Sequence, residues 1–154
     1  MDRPQAPDPE AGFVGSYLLY LLAAVSERAS AEFHAHARNQ GVRVPEWRVL
    51  ACLYDGDGAM ITRLAEFALM EQSRLTRIVD QMAARGLVTR RADPRDGRRV
   101  RVHLTEAGRA LAARLTADAR AHEARLLARL TEDDAARIKP MLQGMLAGLS
   151  GEAE

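Results

Sequence analysis

Residues 62–108 constrain this chain most, because three unlike patterns follow one another there without a gap. Leu64, Ala65 and Ala68 carry a short helical spacing behind Thr62, a residue suited to capping a helix N-terminus. A second helical pattern begins near Glu71 and stops at Gly86, with Leu75, Ile78, Val79 and Met82 at i, i+3, i+4 and i+7 as its inner face. A hairpin pattern comes next. Leu87–Arg91 form its first strand and Arg99–Leu104 its second, where Val100, Val102 and Leu104 alternate with Arg99, Arg101 and His103. Their connection, Asp93-Pro94-Arg95-Asp96-Gly97-Arg98, carries an Asp-Gly turn signal. A hairpin this short adds little stability alone and is expected to pack on helices. Two tandem helices followed by an arginine-tipped hairpin predict a mainly α fold, a winged helix-turn-helix of three helices plus a β-hairpin wing.

Helical patterns flank this stretch on both sides. Phe13, Tyr17, Leu18, Leu21, Leu22, Val25, Ala29 and Phe33 predict one helix over Phe13–Asn39, stopped by Gly41. Pro45 suits the first turn of the next, Pro45–Tyr54, with Trp47, Val49, Leu50 and Leu53 as core candidates. Asp55-Gly56-Asp57-Gly58 breaks it. Thr105 should cap a long helix reaching about Arg129, with Leu111, Leu115, Ala119, His122 and Leu126 along one side. The last helix opens with Thr131-Glu132-Asp133-Asp134, Asp standing where a capping box has Glu or Gln. It runs through Ile138, Met141, Leu142, Met145, Leu146 and Leu149, and Pro140 should kink or split it. The expected organisation is a disordered, Pro-rich tail over 1–12, a DNA-binding module over 41–104, and dimerisation helices over 13–40 and 105–154. The apolar stripes of those flanking helices need a partner, and a two-fold homodimer supplies one.

Charge distribution points to the partner of the central module. Over the whole chain the formal net charge is only +1. Between Arg74 and Arg101, however, nine arginines face three acids, leaving the remainder of the chain at about −5. A basic patch on a near-neutral protein marks where a polyanion sits. On the second tandem helix, Ser73, Arg77 and Asp80 point away from the inner face, with Arg74, Thr76 and Gln81 on the flanks. Arginine suits bidentate contact with guanine in the major groove. Arg90, Arg91, Arg99 and Arg101 are open to two roles, phosphate attraction or structural ion pairing. The composition, 47% hydrophobic and 5% aromatic, suits helices better than sheet.

Other chemistries find little support. The chain has one cysteine, so no intrachain disulfide forms. No signal peptide or membrane-length apolar run is apparent, and a cytoplasmic location is expected. His34 and His36 diverge by about 200° around a helix and cannot chelate together, so no metal is expected. No nucleophile–base pairing or phosphate loop suggests an enzyme.

Four segments bear a family likeness: PEWRVLACL at 45–53, ITRLAE at 61–66, SRLTRIVDQMAARGLVTRR at 73–91 and DPRDGRRVRVHLTEAG at 93–108. Together they resemble the MarR family of bacterial transcriptional regulators. The resemblance implies an obligate homodimer binding palindromic double-stranded DNA, most often a repressor released by a small ligand or an oxidant. By position, the recognition helix is Glu71 to Arg85, with Gln72, Ser73, Arg74, Thr76 and Arg77 facing the major groove. Arg95 and Arg98 match wing residues that enter the minor groove, Asp96 the acid that holds a wing arginine, and Thr62 and Arg63 phosphate contacts. Leu69 departs from the family, which often has glycine in that turn.

The family further implies an effector pocket between the dimer helices and the DNA-reading module, frequently for an aromatic carboxylate. Tyr17, Tyr20, His34, Trp47 and Arg48 have suitable chemistry to line it. No other cofactor is implied. Cys52 invites a redox-sensing alternative, but its place between Leu50 and Leu53 favours a packed thiol. Trp47 and His122 are expected in the core or an interface. A winged helix used only for protein contacts is the other alternative.

Overall fold

A computed structural model describes residues 12–151, so the disordered tail expected over 1–12 lies outside the described residues apart from Gly12. In chain order the elements are α1 (Gly12–Ser16), α2 (Leu18–Asn39), α3 (Val44–Asp55), β1 (Ala59–Met60), α4 (Ile61–Ala68) and α5 (Gln72–Ala84). They continue with β2 (Val88–Ala92), β3 (Val100–Leu104), α6 (Glu106–Leu127) and α7 (Glu132–Gly151). The core lies where α3, α4, α5 and the start of α6 meet the sheet. Val49, Leu50, Leu53, Leu64, Leu75, Val79, Met82, Val102 and Leu115 are fully buried there, each contributing roughly 1.5–3 kcal/mol through removal from water.

The sheet has three antiparallel strands in the order β1-β3-β2. β2 pairs with β3 from Val88↔Leu104 to Ala92↔Val100, and β1 adds Ala59↔Val102 and Met60↔Arg101. The sequence reading lacked β1, because two residues show no period. Gly58, at φ +79°, makes the turn into it, and a side chain there would run into the His103 ring.

Three expectations need correction. The first helix is two, because Tyr17 adopts extended backbone (φ −73°, ψ 119°) between α1 and α2. The four-residue spacing of Phe13 and Tyr17 survives the break, and their rings stack at 4.9 Å; side-chain period alone does not report backbone dihedrals. Thr62 is not the N-cap of α4. Met60 is, and Thr62 falls in the first helical turn. Finally, of the two outcomes expected at Pro140, kink or split, the split does not occur: α7 runs as one helix through it. Pro140 lacks the N–H that would bond the carbonyl of Ala136, and Ala136 is exposed, so water can take that partner's place.

Caps were more legible. Thr105 Oγ1 accepts from the Gly108 N–H at 3.0 Å and donates to the Gly86 carbonyl at 2.6 Å, tying α6 to the strand entry. Thr131 Oγ1 accepts from the Asp134 N–H at 3.2 Å and donates to its carboxylate at 2.8 Å. Gly108 is sterically required. A Cβ there would lie 1.9 Å from the Leu87 carbonyl oxygen. No helix among the described residues is long and apolar enough to cross a membrane.

Candidate nucleic-acid interface

The placement of α5 begins at Leu69. This residue sits in the left-handed region (φ 56°, ψ 46°) at the end of α4, with the N–H of Met70 bonded to the Ala65 carbonyl. Leucine therefore holds the turn that glycine would adopt more easily, at a cost of about 1–2 kcal/mol. The departure from the family's usual residue leaves the turn conformation intact. Leu69 itself is 79% exposed.

From that turn α5 lays Leu75, Ile78, Val79 and Met82 on the core and turns the opposite face outward. Gln72, Ser73, Arg74 and Arg77 are exposed and Thr76 is half-buried. The Thr76 hydroxyl donates to the Gln72 carbonyl at 2.9 Å, which leaves its oxygen free to accept. A groove of about 470 Å³ runs between the start of α4, the first turns of α5 and the wing. Thr62, Gln72, Thr76 and Arg98 share its wall with Arg90 and Arg99. Arg63 is exposed beside it and lies 3.7 Å from Glu66.

The wing is built from two copies of one local device. In Asp93-Pro94-Arg95, Asp93 Oδ1 accepts the Arg95 N–H at 2.8 Å. In Asp96-Gly97-Arg98, Asp96 Oδ1 accepts the Arg98 N–H at 3.1 Å. Each aspartate thus closes an Asx turn two residues on, and each turn presents an exposed arginine. Asp96 also lies 3.6 Å from the Arg99 guanidinium. Asp93 is the deeper anchor: it is buried, and its other oxygen accepts from Arg101 Nε at 2.8 Å. Arg101 goes on to donate to the Gly58 carbonyl at 2.9 Å. The Arg95 amide first, then the Arg101 guanidinium, hold the Asp93 carboxyl below its ordinary range.

These contacts sort the arginines. Arg90 pairs with Asp80, Arg99 with Asp96 and Arg101 with Asp93, so three of the four arginines left open have structural partners. Among the described residues no carboxylate lies within ion-pair distance of Arg74, Arg77, Arg95 or Arg98. With Arg91, likewise exposed and unpaired on β2, these make five unneutralised guanidinium groups on one helix and its neighbouring wing, a set that suits a polyanion.

Of the residues suggested for an effector pocket, the fold brings two together. His34 and Arg48 line a hollow of about 440 Å³ with Ser26, Glu27, Ser30 and Arg38, and Tyr17, Tyr20 and Trp47 are not in its wall. Tyr17 and Tyr20 stand exposed on the N-terminal side. Trp47 packs edge-on against Phe33, with ring centroids 5.1 Å apart. Arg48 donates to the Ala68 carbonyl at 2.8 Å, capping the end of α4. Burial, then Arg48 and Arg38, lower the pKa of His34.

Elsewhere, Cys52 is half-buried against the core, and burial pushes its thiol up. His122 is buried and donates from Nε2 to the Ala29 carbonyl at 2.7 Å. Among the described residues no His, Cys, Asp or Glu cluster could hold a metal ion.

Sequence reasoning passed over the acids that stiffen the module. From sequence Asp93 is only a turn residue between two strands, although the repeated Asp-x-Arg is its signal. Asp57 Oδ1 accepts the Leu104 N–H at 2.8 Å, and Arg109 approaches its other oxygen at 3.3 Å. Glu46, 1% exposed, accepts the Arg43 N–H at 2.9 Å; three residues after the N-cap, it stands where a capping box puts an acid. Burial alone would raise its pKa, but Arg43 and Arg85 outweigh that and lower it.

Comparison with known proteins places this geometry. The MarR family model matches residues 42–100. The crystal structure of a MarR family transcriptional regulator from Silicibacter pomeroyi, SPO1453, is 68% identical, covers 89% of this chain and 98% of its own, and superposes with a TM-score of 0.82. The HTH-type transcriptional repressor Rv2887 of Mycobacterium tuberculosis is 35% identical over 127 residues, 82% of this chain and 89% of that protein; it has been crystallised with salicylic acid. The transcriptional repressor CouR, bound to a 23-mer DNA duplex, is 26% identical with a TM-score of 0.74, covering 93% of this chain and 99% of its own. With the tandem helices, the arginine-tipped wing and these likenesses together, the chain belongs to the MarR family of transcriptional regulators.

Proposed function

We propose that this regulator is a repressor that binds palindromic duplex DNA as a homodimer and lets go when a small effector binds. The observation that carries the DNA assignment is the unpaired state of Arg74 and Arg77 on α5 and of Arg95 and Arg98 at the wing tip. In this reading Gln72, Ser73, Arg74, Thr76 and Arg77 face base edges in the major groove. Arg95 and Arg98 enter the adjacent minor groove, Asp96 holds the wing turn, and Thr62 and Arg63 meet phosphates. CouR, seen on DNA, supports the mode of binding. The dimer rests on apolar surface that one chain cannot cover. Phe13, Leu18, Leu19 and Val25 near one end and Met141, Leu146 and Leu149 near the other are largely exposed, and α7 buries no residue.

The hollow holding His34, Arg38 and Arg48 is the proposed effector site, and an aromatic carboxylate is the ligand class. Two arginines supply the cation such a group needs, and Rv2887, which takes salicylic acid, supports the class. Cleavage footprinting of the DNA upstream of its own gene tests the whole reading. A protected two-fold element should appear, should weaken steeply with salt and should be lost with millimolar salicylate. A uniform, sequence-independent pattern at low salt contradicts operator binding; an element insensitive to every aromatic carboxylate tried contradicts the effector class alone.

A further inference from the structure

At the C-terminal end of α5, opposite the end that faces DNA, Arg85 donates to two acceptors on different elements. Its guanidinium reaches the Gly41 carbonyl at 2.7 Å and Glu46 Oε1 at 3.0 Å. Gly41 lies just past the end of α2, and Glu46 lies in the first turn of α3. The same carboxylate accepts from the Arg43 guanidinium at 3.1 Å, and Arg43 also donates to Gln81, one turn back on α5. Three chain segments are therefore tied through one buried acid. Among the described residues, the other contacts of α5 with α3 and α4 are apolar and come from a single face, which resists separation but tolerates sliding and rotation, and its further ion pair, Asp80 with Arg90, runs to β2.

We propose that Arg85, held by Glu46, is a positioning residue for DNA reading. It fixes the tilt of α5 against the end of α2, so that a displacement of α2 is transmitted to the helix that faces the groove. The inference rests on the reading of α5 as the DNA-facing helix. A direct phosphate contact does not account for Arg85. A 13-residue helix is about 20 Å long, and Arg85 follows its far end. Its donors are already aimed at Gly41 and Glu46. A cap for α5 alone would need no carboxylate on α3. Without Arg85 the buried carboxylate keeps Arg43 but loses its direct tie to α5, so the link between α3 and α5 needs both residues.

Affinity measured against two probes tests the proposal: a duplex that the wild type selects from a random-sequence pool, and poly(dI-dC). Arg85→Ala should weaken the selected duplex by roughly tenfold, the scale of coupling through such a joint. It should leave poly(dI-dC) affinity and the salt slope unchanged and the far-UV spectrum folded. Arg85→Lys should recover part of the loss, because one ammonium can meet Glu46 or Gly41 but not both in plane. Adding Glu46→Gln to Arg85→Ala should cost little more. A salt slope reduced by about one makes Arg85 a phosphate contact and overturns the proposal. Equal losses on both probes, no loss on either, or additive losses in the double variant overturn it as well. A wild type that selects no duplex fails the DNA reading first, a result visible before any variant is made.

Discussion

The central module and the terminal helices solve the same problem in opposite ways. In the module, α3, α4, α5 and the sheet bury their apolar faces against each other, and Asp57, Asp93 and Glu46 satisfy backbone amides and guanidinium groups at the joints. In the terminal helices the apolar residues are as regular in sequence but stay in water: Leu146 is 68% exposed where Leu53 has no exposed surface. Amphipathic spacing is thus a statement that a face will be covered, not a statement of what covers it. The module covers its apolar faces within the chain, whereas α1, α7 and the N-terminal half of α2 leave theirs exposed, the surface the proposed homodimer would cover.

The strongest way to break this contrast is inside the module. Gly108→Ala puts a Cβ against the Leu87 carbonyl, a backbone group held in the strand entry; the loss should exceed about 3 kcal/mol, seen as a collapse of the melting transition. Next comes a matched pair. Leu53→Ala should cost roughly 2–5 kcal/mol at any protein concentration. Leu146→Ala should instead make the melting temperature fall more steeply on dilution, as the proposed homodimer requires of a contact between subunits. A Leu146→Ala loss that does not vary with concentration would place that contact within one chain.

Acid should loosen the module at its joints. Asp93 and Glu46 have folded pKa values below their unfolded ones, so their contribution is complete above the ordinary carboxylate range of about 4 and disappears as pH falls through the folded values. Thermal melts of wild type and Asp93→Asn should therefore differ at neutral pH and converge as pH falls below the ordinary carboxylate range. The smallest effect belongs to Leu69→Gly. Relief of the left-handed strain is offset by the added freedom of glycine in the unfolded chain, and the net gain should stay within about 1 kcal/mol.

The order of these effects follows what the residues themselves could disclose. Leu75, Ile78, Val79 and Met82 announced the inner face of α5 by their spacing, and all four are buried. Thr105 announced a cap because capping is a local chemistry. β1 was illegible, since its two residues owe their strand geometry to Val102 and Arg101 more than forty positions away. The break at Tyr17 was illegible for another reason: a four-residue spacing is indifferent to one extended residue. At the interface, the exposed arginines could be enumerated from sequence, but which of them were already neutralised depended on Asp80, Asp93 and Asp96 as the fold arranges them. Arg48 shows the same limit. Its charge suggested a ligand contact, and part of its hydrogen-bonding capacity closes the end of α4.

The claim beneath the whole account is that unpaired arginines on the wing meet DNA. Its most direct test is the salt dependence of duplex binding by the wild type and by Arg95→Ala/Arg98→Ala. Each lost phosphate or groove contact should lower the slope of log affinity against log salt by about 0.9, so the double variant should be shallower by roughly two per wing. An unchanged slope, with the variant still folded and dimeric, would show that the wing does not touch the duplex.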